Sequence, residues 1–126
     1  MCIRDSVDGG AGESATAGRV VMLSGDLMFA SRVRSIADRA GVGFVFGGNL
    51  PEGDLSDVHT VILDLGTRGR LAGDLKSLCD ARCPNARLIA FGPHVQAAKL
   101  KEAKDSGIKT VMTNRQFDHS MHRLFS

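Results

Sequence analysis

Tryptophan and tyrosine are absent from this chain of 126 residues, which leaves six phenylalanines as its only aromatic side chains besides histidine. A stacking platform for single-stranded nucleic acid would have to be built from those phenylalanines, and the apolar pattern assigns each of them to a core. A formal net charge of +2 adds no basic surplus large enough to attract phosphate backbones. Nucleic acid is therefore not expected as a partner. Long apolar runs are missing too: none approaches the roughly 20 residues that cross a bilayer. The N-terminus lacks the basic flank and apolar stretch of a secretory signal, so a cytoplasmic protein with no membrane association is expected. Cysteine is scarce, with three residues. Without a secretion signal these are expected as thiols rather than as a disulfide framework. What is present, 43% hydrophobic and 24% charged residues, suffices for one globular domain with a real core.

The two ends of the chain differ from its middle. The first six residues, MCIRDS, match the translated end of a transposon adapter used in preparing sequencing libraries, and are set aside as a processing scar. Residues 7–18, VDGGAGESATAG, are rich in Gly, Ala and Ser and have almost nothing to bury, so residues 1–18 are expected to form a disordered tail. The folded domain is expected over residues 19–126.

From Arg19 onward, strand-like and helix-like segments alternate. RVVML (19–23) is a β-branched apolar run ending in Ser24 and Gly25, after which Asp26 stands where a helix N-cap belongs. Phe29, Val33, Ile36 and Ala40 follow at helical spacing, and Gly41 closes that helix. GFVFG (43–47) and TVILD (60–64) read as the next two strands, separated by a connection long enough for one or two helical turns at most. Leu71, Leu75, Leu78 and Cys79 mark a second long helix, stopped by Pro84. ARLIAFG (86–92) and KTVMT (109–113) are strands four and five, with a helix from about Val95 to Asp105 between them. A short final helix carries Phe117, Met121, Leu124 and Phe125 on one face. Wholly apolar strands separated by amphipathic helices imply a parallel sheet covered on both faces. The expected fold class is α/β, an open five-stranded doubly wound sheet. Such sheets gather reactive groups beyond the carboxyl ends of their strands. Here those positions are Ser24, Gly25 and Asp26 after strand one, Asp64 after strand three, Gly92 and His94 after strand four, and Asn114 and Arg115 after strand five.

The chain at this point resembles the receiver domains of two-component response regulators, chemotaxis-regulator-like and flavodoxin-like in topology, over residues 19–126. The resemblance rests on VILDL, where Asp64 matches the phosphoacceptor aspartate, and on SGIKTVMTN (106–114), which resembles that family's run into its fifth strand. It implies an acidic pair holding magnesium after strand one, at positions matched here by Ser24 and Gly25. It implies a hydroxyl residue after strand four, matched by Gly92, and a lysine after strand five, matched by Asn114. The family's loop proline is absent as well. Phosphoryl transfer to a carboxylate depends on neutralising the phosphoryl oxygens with a metal and fixed cations. One certain carboxylate makes a poor magnesium site, so weak binding at most is expected, with no other cofactor. Asp26 is better placed to cap its helix than to serve as a second ligand. Arg115, one residue past Asn114, should start toward the opposite face and is not expected to replace the lysine.

Other constellations point to structure rather than chemistry. Cys79 lies in the stripe begun by Leu71, and no other Cys or His stands at zinc spacing from Cys79 and Cys83, so buried thiols are expected. His119 and His122 lack a third ligand. GVGFVFGG has a strand running through its middle, unlike a phosphate-binding glycine loop. No nucleophile has a base beside it, so no enzyme is expected. The expected function is a degenerate receiver-like domain that signals through protein interaction without efficient aspartyl phosphorylation. Two alternatives stand beside it: a phosphoacceptor using Asp64 in a rebuilt metal site, and a small-ligand-binding flavodoxin-like domain. Residues 94–126 hold six Lys and Arg against three Asp and Glu, while residues 1–93 hold ten against eleven. The resemblance implies docking or dimerisation through this C-terminal region. Lys99, Lys101, Lys104, Lys109, Arg115 and Arg123 are the candidate docking residues, for an acidic protein partner or a second copy.

Overall fold

In a computed structural model, residues 18–123 are described; the tail up to residue 17, with Cys2, and the expected core residues Leu124 and Phe125 lie outside them. Five parallel strands, β1 (Arg19–Leu23), β2 (Gly43–Gly47), β3 (Val58–Asp64), β4 (Arg87–Gly92) and β5 (Thr110–Thr113), form one sheet in the order β2-β1-β3-β4-β5. Helices α1 (Leu27–Ala40), α2 (Leu65–Arg68, a single turn), α3 (Ala72–Arg82), α4 (Ala97–Asp105) and α5 (Asn114–Ser120) connect them. A short 3-10 turn joins α2 to α3, and another follows α5. None of the described helices is long and apolar enough to cross a membrane.

The strands are apolar throughout because each faces two cores. Successive side chains point to opposite faces of the sheet. Val20, Met22, Ile62, Ile89 and Phe91 accordingly meet α1 and α5, while Val21, Leu23, Val61, Leu63 and Ala90 meet α3 and α4. The first core is aromatic: Phe91 and Phe117 stack with centroids 4.0 Å apart, and Phe29 meets them edge-on at 5.1 and 5.8 Å. The second is aliphatic, built around Leu75, Cys79, Cys83, Ala103 and Ile108.

Local signals begin and end the helices as expected. Asp26 Oδ1 accepts the Met28 and Phe29 N–H groups at 2.9 and 3.3 Å, and Gly41 takes the left-handed conformation, φ 75°, that an L side chain rarely adopts. At α5 the structure adds a cap that was not anticipated: Thr113 and Gln116 form a reciprocal capping box.

The departures have physical reasons. The buried stripe of α1 is Ala30, Val33 and Ala37, with Phe29 and Ile36 half-buried and Ala40 exposed, because the small alanines let the helix lie close on the sheet. The β2–β3 connection, residues 48–57, makes turns only, so shortening of that helix is complete. Its loss explains Leu78, expected in the core but 45% exposed: beside it, Leu23, Leu50, Leu71 and Leu75 line a 150 Å³ hollow on the side left without a covering helix. The helix before β5 starts at Ala97, leaving Val95 exposed.

Candidate functional site

The carboxyl end of β3 carries the buried carboxylate of Asp64, 4% exposed, next to Ser24, 2% exposed, at the end of β1. Parallel pairing of β1 with β3 aligns Leu23 with Leu63, so the residues following each meet above the sheet. There Ser24 Oγ donates to Asp64 Oδ2 at 2.7 Å and accepts the Asp26 N–H at 2.9 Å. Thr67 Oγ1 donates to the same Oδ2 at 2.9 Å and accepts the Gly25 N–H at 2.8 Å. Asp64 Oδ1 accepts the Gly66 N–H at 2.9 Å, which makes Asp64 the N-cap of α2. The result is a closed ring: the β1–α1 loop hangs by two amide groups on two hydroxyls, and both hydroxyls hang on one carboxylate oxygen. None of the ion pairs among the described residues involves Asp64, so hydrogen bonds alone accompany its burial.

The other expected positions are equally specific. A Cβ at Gly92 would come within 3.1 Å of Leu65 Cβ, so the place of the hydroxyl residue is filled by the first residue of α2. Asn114 opens α5, and its Oδ1 is buried without a hydrogen-bond partner. Asp26 is committed to capping, as expected. Arg115 is exposed and lines a shallow depression with Val111, Met112, Gln116 and His119.

Thr67 escaped the sequence reading, although a signal existed. It stands three residues after an N-capping Asp, the position from which a polar side chain reaches back to the cap. Arg68 was missed too: its guanidinium lies over Gly48, where a Cβ would be 3.1 Å from Nε, and that buried Nε has no partner.

The six candidate docking cations do not form one patch. Lys99 lies against Gly69, beyond the carboxyl ends of the strands, whereas Lys109 lines a cavity at their amino ends. Lys101 pairs with Asp105 at 3.4 Å one helical turn away. Lys104 is exposed near the end of α4, and Arg123 is exposed after α5. His119 is exposed, while the side chain of His122 lies outside the described residues.

No family model and no curated protein matches the sequence. Solved structures do match the fold. A response regulator from Thermotoga maritima is similar at 12% identity and TM-score 0.63, covering 86% of this chain and 94% of its own. A chain of the Saccharomyces cerevisiae co-crystal structure of the phosphotransfer protein Ypd1 with the receiver domain of Ssk1 is similar at 12% identity and TM-score 0.63, covering 85% of each chain. The beryllofluoride-activated NtrC4 receiver domain dimer is similar at 14% identity and TM-score 0.57, covering 85% of this chain and 95% of that one. The chain has the receiver-domain fold.

Within that receiver fold, the resemblance implies a magnesium ion beside the β3 aspartate, and the residues present do not fit one. Magnesium requires near-octahedral oxygen coordination, usually with one or two carboxylates. Among the described residues the one buried carboxylate, Asp64, has both oxygens engaged by hydroxyl and amide donors, and the pair positions hold Ser24 and Gly25. Among the described residues no group of three or more His, Cys, Asp or Glu side chains could hold a metal.

Proposed function

We propose that this receiver-like domain is a signalling module that works by docking to protein partners, with Asp64 serving as a structural cap instead of a phosphoacceptor. The observation that carries this reading is the ring around Asp64. A phosphoacceptor oxygen must be presented to a phosphodonor, with a metal and a fixed cation ready to take up charge on the transferring group. Asp64 Oδ2 accepts two hydroxyl bonds instead, Oδ1 accepts an amide, and Asn114 offers no charge at the lysine position. Protein partnership is supported by fold analogy: similar structures include a receiver dimer and a complex with a phosphotransfer protein. Arg115, on the rim of the β5–α5 depression, supplies a positive charge for an acidic partner. No catalysis and no cofactor enter this reading.

The test is intact-mass analysis after incubation with acetyl phosphate and magnesium. The expected result is no phosphoryl adduct. A stoichiometric adduct that disappears in Asp64→Asn overturns the proposal and restores the reading of Asp64 as phosphoacceptor in a rebuilt site.

A further inference from the structure

On one side the sheet ends at β2, which pairs with β1 alone, so among the described residues no strand stands at its outer edge. The Gly43 N–H bonds inward to the Gly18 carbonyl, and the Gly47 carbonyl accepts inward from the Ser24 N–H. Backbone groups alternate sides along a strand, so Phe44 and Phe46 turn their N–H and C=O groups outward, where a further strand would pair.

Sheet edges are usually blunted by a charge, a proline, a bulge or a covering element. β2 has none of these. No charged residue occurs between Arg39 and Glu52, the pairing with β1 is regular, and the connection after β2 makes no helix. At the opposite edge, by contrast, Lys109 and Arg115 flank β5. The surface beside β2 is apolar on both faces. On the α1 face, Leu27, 70% exposed, and Phe46, 37% exposed, line an open groove of about 260 Å³ together with Phe44. On the other face Val45 and Leu50 are half-buried, where no helix follows the strand. Of the residues lining the groove only Arg34 is charged, and from its exposed place on α1 it can keep its guanidinium in water.

The sequence of the strand decides what fits this edge. A two-fold dimer needs a surface that complements itself, and GFVFG reads the same in both directions. We propose that two copies of this chain pair antiparallel along β2 about a two-fold axis at Val45, joining two five-stranded sheets into one. Phe44 then stands opposite the partner's Phe46 in a hydrogen-bonded pair that exchanges both N–H and C=O groups, so every outward group of both edges is satisfied. Val45 meets the partner's Val45 in the closer, non-hydrogen-bonded pair, and Gly43 meets the partner's Gly47 with no side chain to clash. The four phenylalanines lie on the α1 face, where they close the two grooves against each other as aromatic cross-strand pairs. A foreign strand could match the backbone but not this symmetry of side chains. The seam is five residues long, short of a standard interface of roughly 800 Å² per partner, so the dimer is weak, with a Kd between about 10 µM and 1 mM. It lies at the sheet edge opposite the β5–α5 depression and involves neither that surface nor Asp64.

The test is sedimentation equilibrium of the full chain under reducing conditions, from about 10 µM to 2 mM, where a monomer–dimer equilibrium is expected. The register is read in a mixture of 13C-labelled and unlabelled protein, in which an isotope-filtered NOE should join Val45 Hα of one protomer to Val45 Hα of its partner. Phe46→Pro removes an outward donor that the chain's own sheet does not use, and should raise the Kd at least about tenfold. Phe46→Lys keeps the backbone intact and sets a charge on the edge; it should do the same with the amide spectrum of β1 and β3 preserved, and it decides the matter if the proline variant does not fold. The proposal is overturned if the chain stays monomeric at about 2 mM, whether or not a foreign peptide binds the edge. A dimer whose Kd is unchanged in Phe46→Lys, as one formed through the β5–α5 surface would be, overturns it too, as do filtered NOEs that place Val45 against another residue.

Discussion

Replacing Asp64 by alanine separates a structural cap from a retained reactive group. If the carboxylate were kept for chemistry, its removal would relieve a buried, unpaired charge and leave stability unchanged or improved. The ring predicts the opposite. In Asp64→Ala the Ser24 hydroxyl, at a position 2% exposed, loses its only acceptor, while exposed Gly66 and Thr67 can turn to water. An unsatisfied buried hydroxyl costs about 1–3 kcal/mol, and loss of an N-cap adds about 1 kcal/mol. Since the terms share atoms and are not additive, the expected loss is about 2–4 kcal/mol. Urea unfolding should show it as a lower midpoint at unchanged slope, and thermal unfolding as a Tm drop of about 4 °C or more per kcal/mol. Ser24→Ala should cost less, about 1–2 kcal/mol, because Asp64 keeps two donors. A double-mutant cycle should return a Ser24–Asp64 coupling of about 1.5–3 kcal/mol, the range for a hydrogen bond to a charged group. A change below about 0.5 kcal/mol in Asp64→Ala, or a gain, refutes the reasoning.

Gly92→Ser, which restores the hydroxyl that the receiver resemblance implies, should destabilise by about 1–3 kcal/mol through its contact with Leu65, and a Tm equal to wild type would show that α2 yields freely. Leu75→Ala, at a site 2% exposed, should cost about 2–5 kcal/mol. Leu78→Gln, at 45% exposure, should stay within about 0.5 kcal/mol in the same urea assay, and a large loss there would mean that the hollow beside it is closed in solution. Burial, with Cys83 alongside, pushes the Cys79 thiol up to about 12 from an ordinary value of 9.0. Its contribution to stability is therefore fully present below pH 9 and is lost as the pH rises through the folded value. Between about pH 9 and 11 wild type should lose stability faster than Cys79→Ala, by at most about 1.4 kcal/mol per pH unit, and parallel pH profiles would contradict the assignment.

The strands, their parallel arrangement and most helix boundaries were legible in the sequence because they rest on local information. Apolar runs such as VVML and VILD can be satisfied only between two covered faces, and Asp26 and Gly41 act on backbone groups within three or four residues of themselves. The role of Asp64 was local only in part: a cap to Gly66 and Thr67, two and three residues on, is within reach of a sequence reading. Its chief partner, Ser24, lies 40 residues away, brought alongside by the register of β1 on β3, and serine at that place reads in sequence as a missing acid instead of a hydroxyl donor. Gly92 likewise reads as a lost hydroxyl, whereas the backbone of α2 comes so close that Leu65 fills the space. The stripe on α3 announced a leucine core, but Leu78 is left facing solvent because the β2–β3 connection makes no helix to cover it. Nor did six cations in one segment make a patch: α4 runs from the carboxyl to the amino end of the strands, placing Lys99 and Lys109 at opposite edges. Periodicity determines which side of an element is buried in general, while burial, hydrogen-bond satisfaction and charge grouping at a given atom depend on what the tertiary fold brings against it.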